Sequence, residues 1–522
     1  MKKIKFTLCG GLTLLFALMC MGELKAQNGK YQTLTPAVVE LTKNKALWFN
    51  APNAAGLALD QMHGYNRFSL GYDINDGGFK FQQAGEKEQN RYFNTEGVLD
   101  LGAAVLYGDF AYEDKVFEGT RFNTSLLDPF RGIPAYYVAD RNVSDWLVRA
   151  NSLNFKAASP FFGDRFAIGV SGNYKSMSGA KQADPRGTTY YIQYAVAPGV
   201  AIKLNQNNYI GLHMIYAGLS ERISIGNSDS QTSQDGYILA GLGNFSIGSI
   251  GSFGSISTYA NTSNLLGGGL QYGFYGNVHF LISGEYNYKV EDVIITPITP
   301  KYLGSTRDQR YVAKAQLATT GDNLHRATLG YDYDYLDGIQ YVQEQDEGQA
   351  WYIATGTVRL NNKHTQIYVN YDFFKCEGIS YTWKAGAFVR YSDMKQVFYI
   401  PHSHLNAENL TFGADFKFNF PSNACGCSWL LVGLNVGYNA NLSGEYVYGG
   451  VAPESIVVNE FVRPDFMFMT SNFYYAGAEA TLSQFVGQKG NSWFLKASAQ
   501  YFKPSEGDNH RLFSGFSLGL NF

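Results

Sequence analysis

From Tyr65 onward, apolar and polar residues alternate one by one in segment after segment. Leu329, Tyr331, Tyr333 and Tyr335 are set against Thr328, Gly330, Asp332 and Asp334. Phe166, Ile168, Val170 and Tyr174 are set against Ala167, Gly169, Ser171 and Lys175, and the same pattern runs through Ile367–Phe373, Trp383–Tyr391, Phe412–Phe420 and Phe516–Phe522. Side chains of a strand have period two, so each segment predicts a strand with one apolar and one polar face. Each covers the roughly 9–11 tilted residues that cross a bilayer as a strand. The connections alternate between short turns, such as Ser159–Gly163, Asn205–Asn208 and Thr320–Asn323, and long stretches near 115–145, 224–262, 292–308, 336–350, 392–408 and 441–465. Short turns at one rim and long loops at the other predict an all-β fold, a transmembrane antiparallel up-and-down β-barrel over residues 65–522. Pairing the segments gives about 18 strands, and 14 or 16 also fit because 75–101 and 339–365 are irregular. With both chain ends in the periplasm, the short turns are periplasmic and the long loops extracellular.

The terminal segment alternates through Phe516, Leu518, Leu520 and Phe522, with Ser517, Gly519 and Asn521 on the other face, and ends on the aromatic residue. That resembles the C-terminal assembly signal of bacterial outer-membrane barrel proteins, and assigns those four residues that role. At the other end, Met1-Lys2-Lys3 precedes an apolar run from Phe6 to Met21 and Ala26. This predicts a secretory signal peptide over residues 1–26, cleaved after Ala26, and export to the outer membrane. Residues 27–64 do not alternate and form a separate N-terminal segment, periplasmic or luminal. Later in the chain no run of about 18 apolar residues could make a membrane helix.

Composition narrows the class. The 38 Tyr, 37 Phe and 57 Gly against 14 Pro suit aromatic girdles and a sheet wall. A formal net charge of −3 offers no basic surface for nucleic acid. With these strands and Gln27 at the cut site, the chain resembles outer-membrane barrels of the Bacteroidota type without assigned activity. No separate globular plug domain precedes the strands, so the chain is not itself a TonB-dependent receptor. The resemblance implies a transport or channel component, with outer-membrane lipid and the barrel-assembly machinery as partners. A TonB-dependent receptor or surface lipoprotein would complete a larger uptake system. The alternatives are a channel for hydrophobic compounds and a structural or adhesive barrel with a closed lumen.

An unpaired charge on the lipid face costs roughly 2–4 kcal/mol at the midplane. Charges that alternate with apolar residues therefore point inward, which makes Glu285, Lys289, Arg326, Asp332, Asp334, Lys384, Arg390, Asp415 and Lys417 candidates to line the lumen. Both signs occur, so they either line a water-filled pore or cross-link one another. Asn50, Pro52, Asn53 and Gly56 form a segment similar to the N-terminal one that lies inside long-chain fatty-acid transporter barrels, and are candidates for a luminal plug. Cys376, Cys425 and Cys427 fall in short turns two strands apart, and the periplasm is oxidising, so Cys376 is expected to pair with Cys425 or Cys427. His402 and His404 share a face of an extended segment, yet two imidazoles are too few for a metal site. Gly515-Phe516-Ser517-Leu518-Gly519 matches a nucleophile elbow in letters, but its serine lies mid-strand where that motif needs a strand–turn–helix. No enzymatic chemistry and no cofactor are expected.

Overall fold

The computed structural model describes residues 34–522, apart from 61, 63, 125–126, 131–135, 230, 251–255, 297–298, 349, 423–426 and 487–489. The expected signal peptide lies outside the described residues. Eighteen strands form one antiparallel sheet. The sheet closes where Tyr65–Asp76 pairs with Arg511–Asn521, with Leu70 opposite Leu518 and Phe68 opposite Leu520. Closure leaves no unpaired edge, the condition a sheet must meet in lipid. Asn66 and Phe522 seal the seam by exchanging backbone hydrogen bonds of 2.7 and 2.9 Å.

The alternation sorts the two faces of this wall. Leu329, Val369, Phe412, Phe416, Phe516, Leu518 and Leu520 stand exposed on the outside, whereas Ser517 and Asn521 are buried within. The exposed apolar band lies in the half of the barrel next to the short turns. Beyond it the strands continue. Leu324–Gln345 has 22 residues and Trp351–Glu377 has 27, at least twice the roughly 9–11 needed to cross a bilayer. Most of 292–308, 336–350 and 392–408, expected as loops, is therefore strand. The polar residues that suggested loops there decorate a wall that rises above the apolar band.

Both ends of the barrel are packed. At the long-loop end, strands Tyr137–Ala139, Gln234–Gly241 and Asn244–Ile250 form a second sheet. A π-helical turn, Val457–Val462, leads into the helix Arg463–Met469 beside it. Phe122, Val138, Tyr259, Leu360, Phe398 and Val457 are all buried in this cap, so it joins loops to strands from opposite sides of the wall. The backbone amide of Gln82 donates to Asp465 at 2.7 Å, and burial pushes that carboxyl up to about 7. At the short-turn end the lumen is filled by the chain's own N-terminal segment.

One expectation about the turns is overturned. Cys376 is a free thiol and Cys427 is disulfide-bonded, so Cys376 is not its partner; Cys425 lies outside the described residues. The pleat turns Cys376 back against Phe374, whose carbonyl accepts from Sγ at 3.7 Å, and packs it on the buried cluster of Trp48, Phe374 and Tyr381.

Candidate functional site

The N-terminal segment is held by the wall on every side. Helix α1, Pro36–Lys45, starts with Thr35, whose hydroxyl accepts from Val38 N at 3.4 Å, and with Pro36 at its first position, both favourable at a helix start. Its last carbonyls lack partners within the helix. Arg326, on the wall, supplies them: its guanidinium donates to Lys43 O at 3.4 Å and to Asn44 O, and also to Gln316 Oε1 at 3.0 Å. A cation at a helix C-terminus also complements the dipole. From the next strands of the same stretch of wall, Tyr381 OH donates to Glu40 at 2.9 Å and Lys417 at 3.1 Å, and Lys384 stands 3.9 Å from it. Lys384 also pairs with Asp372 at 2.9 Å and Asp415 at 3.1 Å, and Lys417 with Glu479 at 3.0 Å.

Two short 3-10 turns follow, Trp48–Asn50 and Ala54–Gly56, and then the helical turn Leu57–Asp60. Lys156 donates from the wall to Phe49 O at 2.6 Å and Ala51 O at 2.8 Å, and Ser171 to Pro52 O at 2.8 Å. Asn53 is fully buried and makes four bonds. Nδ2 donates to Val200 O, Leu212 O and Gln271 Oε1 at 3.0, 3.3 and 3.0 Å, and Oδ1 accepts from Ala55 N at 3.1 Å. The fit is close enough to require glycine on the wall: a Cβ on Gly169 would lie 2.3 Å from Ala55 N, and one on Gly199 2.3 Å from Asn53 Oδ1. Within the segment, a Cβ on Gly56 would lie 2.1 Å from the Trp48 ring. Asn50 bonds only within the segment, to Ala46 O at 3.4 Å. Asp60 ties the segment to itself, accepting from Trp48 N at 3.2 Å and Phe49 N at 2.6 Å, and burial pushes its carboxyl up to about 7.

Between segment and cap lies a cavity of about 370 Å³ against the wall. Register builds it. One row runs across five strands through Leu265, Lys289, Asp308, Leu336 and Asn362. The neighbouring row runs through Gly267, Asn287, Arg310, Asp334 and His364. Arg310 holds Asp332 with two hydrogen bonds, one of them Nε to Oδ1 at 3.0 Å, and lies 3.5 Å from Asp334. Lys289 stands 3.6 Å from both Glu291 and Asp308. Tyr136 of the cap lies over the cavity, packed where a Cβ on Gly304 would come within 2.5 Å of its ring.

A line of polar contacts joins this cavity to the luminal segment. Asn287, in the cavity wall, donates to Glu285, and Glu285 Oε2 stands 3.4 Å from buried His213 Nε2. His213 Nδ1 bonds Gln271 Nε2 at 2.8 Å, and Gln271 Oε1 is the acceptor for Asn53. The inward-pointing candidates thus divide by role. Lys289, Asp332 and Asp334 line the cavity and Glu285 is in the line of contacts. Arg326, Lys384, Asp415 and Lys417 hold the segment directly or through one another. Arg390 projects from the same face as Lys384, is exposed, and has no ion pair among the described residues. Asn261, Asp308, Arg310, Asn362 and His364, which complete the cavity, were not singled out from the sequence. The inward parity of their strands is the signal that selects them, and two of them, Asn261 and Asp308, sat in stretches expected to be loops.

His402 and His404 have ring centres 5.5 Å apart, and Glu445 lies 3.4 Å from His404, but no set of three metal-binding side chains gathers among the described residues.

A family model described as a family of unknown function (DUF6850) matches residues 54–522. No curated protein matches the chain. Among solved structures it is similar to the ferric preacinetobactin receptor BauA from Acinetobacter baumannii, at 10% identity and a TM-score of 0.41, covering 88% of this chain and 80% of that one. It is also similar to the alcaligin outer-membrane receptor FauA from Bordetella pertussis, at 9% identity and a TM-score of 0.41, covering 87% and 76%. A third is the outer-membrane transporter YddB from Escherichia coli, at 9% identity and a TM-score of 0.39, covering 87% and 80%.

Proposed function

The chain belongs to the DUF6850 family, whose function is unknown, and from that premise we propose that it is an outer-membrane transport barrel. On this reading the apolar band lies in the membrane, the short turns face the periplasm and the cap faces outward. The lumen is an occluded pathway with a polar compartment halfway. The observation that carries the reading is the pair of closures with a cavity between them. A barrel built only as a scaffold or adhesin has no use for a charged, solvated compartment behind its cap. The cavity's lining of amides, carboxylates and cations suits a water-soluble cargo, and it disfavours the alternative of a channel for hydrophobic compounds. The partners expected are lipid, the barrel-assembly machinery and, for uptake, a TonB-dependent receptor or surface lipoprotein.

Single-channel recording in planar bilayers tests this. Short segments held by side-chain contacts open at lower free energy than a wall of eighteen paired strands. The untreated barrel should be quiet, and moderate urea should bring reversible conductance steps well before the β-sheet signal is lost. A barrel that stays silent up to the loss of its sheet signal contains no pathway, and the proposal fails.

A further inference from the structure

We infer that the luminal cavity is a binding site for a small organic cation, an amine carrying one or two ammonium groups. This deepens the transport reading and rests on it only for the route by which the solute arrives. Three amide side chains in the cavity wall are almost wholly buried and leave the amide oxygen without a partner among the described residues. Asn261 is 2% exposed, Asn287 8% and Asn362 2%, and in each the Oδ1 atom accepts nothing. Asp308 adds a fourth vacant acceptor, its Oδ1. Among the described residues the vacant donors of these four side chains are two, the Nδ2 groups of Asn261 and Asn362. Buried polar atoms are nearly always paired, and an orphan carries a desolvation cost. Four vacant acceptors against two vacant amide groups favour a ligand that brings donors.

Charge points the same way. Glu291, Asp308, Asp332 and Asp334 line the cavity with four carboxylates, and Lys289 and Arg310 with two cations, a formal excess of two negative charges with His364 neutral. Each cation is shared between two carboxylates, Arg310 by Asp332 and Asp334 and Lys289 by Glu291 and Asp308, so no carboxylate has a cation to itself. An ammonium supplies three donors and a positive charge and has no acceptor, which answers both imbalances. A carboxylate or phosphate would add acceptors where acceptors are already in excess. A neutral polyol would satisfy some amides and leave the charge. The volume, about 370 Å³, matches roughly a dozen waters at ~30 Å³ each, so the solute is a small amine or diamine.

The test is calorimetric titration of the full-length barrel in detergent micelles at low ionic strength with butylamine and putrescine, with maltose and glutamate in parallel. Saturable amine binding is expected, weakened by salt and by about tenfold or more in the double variant Asp308→Asn/Asp334→Asn, which keeps the shape and removes two charges. The same titrations on Asn53→Ala, whose luminal segment is loosened, ensure that access does not limit binding. No saturable amine binding in either protein, unchanged affinity in the double variant, or tighter binding of maltose or glutamate would each overturn the inference. Amine binding by a barrel that stays silent in urea would leave the site standing and remove the transport reading. Urea-induced conductance without amine binding would do the reverse.

Discussion

Asn53→Ala should undock the luminal segment while leaving the barrel intact. Asn53 is fully buried, and its amide hydrogen-bonds to three separate strands of the wall, through Val200, Leu212 and Gln271. Truncation removes the bonds of the two Nδ2 protons, which three acceptors share and which are worth about 1 kcal/mol net each, and the cap on Ala55 N, worth about another. It also orphans Gln271 Oε1 in a buried site, at a cost of about 1–3 kcal/mol. Val200 and Leu212 are strand carbonyls with a second route to satisfaction, so the sum is discounted to about 3–4 kcal/mol. At 1.4 kcal/mol per factor of ten, opening of the segment should become about two to three orders of magnitude more frequent. Hydrogen exchange followed by mass spectrometry on peptides spanning 36–60 reads this directly, with wall peptides as the internal control. Protection of the segment within about threefold of the parent, in a protein that still exchanges slowly along the wall, would refute the reasoning.

Gly169→Val places a side chain where a Cβ would lie 2.3 Å from Ala55 N, so either the segment or the strand must move. Overpacking of this kind costs typically about 1–3 kcal/mol, and exchange in the segment should rise in step, whereas Gly284→Val, with open space at its Cβ, should leave it unchanged. Asp60 has its carboxyl raised from 3.8 to about 7, so the docked segment holds a proton that the undocked one releases. Docking is then strongest below about pH 4 and weakens as pH rises through 7; exchange corrected for its intrinsic pH dependence should show this, and Asp60→Asn should flatten it. Cys376 should take up an alkylating reagent in the denatured protein without prior reduction, and a peptide mass showing it blocked would contradict its free state.

Alternation was enough to read the barrel because strand periodicity is local: each of Leu329, Tyr331 and Tyr333 chooses its face from its immediate neighbours. Repetition gave up-and-down hairpins and a count of 14, 16 or about 18 strands, and closure of the sheet decides for eighteen. Loops were less legible. Polar residues such as Asp292, Ser305 and Asp337 read as loop because a membrane strand was expected to stop at the bilayer's edge, and nothing local says that the sheet continues beyond it. The cysteine pairing failed for a related reason. Proximity of turns sets which thiols can meet, but the pleat and packing against Phe374 decide where Cys376 points.

By itself, then, the sequence determined the barrel, which face of each strand meets lipid, and which charges turn inward, since all of these rest on period-two sterics and the cost of charge in hydrocarbon. Only the tertiary structure decided what the inward charges do. Lys289 and Lys384 have the same parity and composition around them, yet one borders a cavity and the other clamps a helix. Their roles depend on register across strands far apart in sequence and on where residues 34–60 settle inside the wall. No local pattern encodes either; both come from long-range packing that exists only once the sheet has closed.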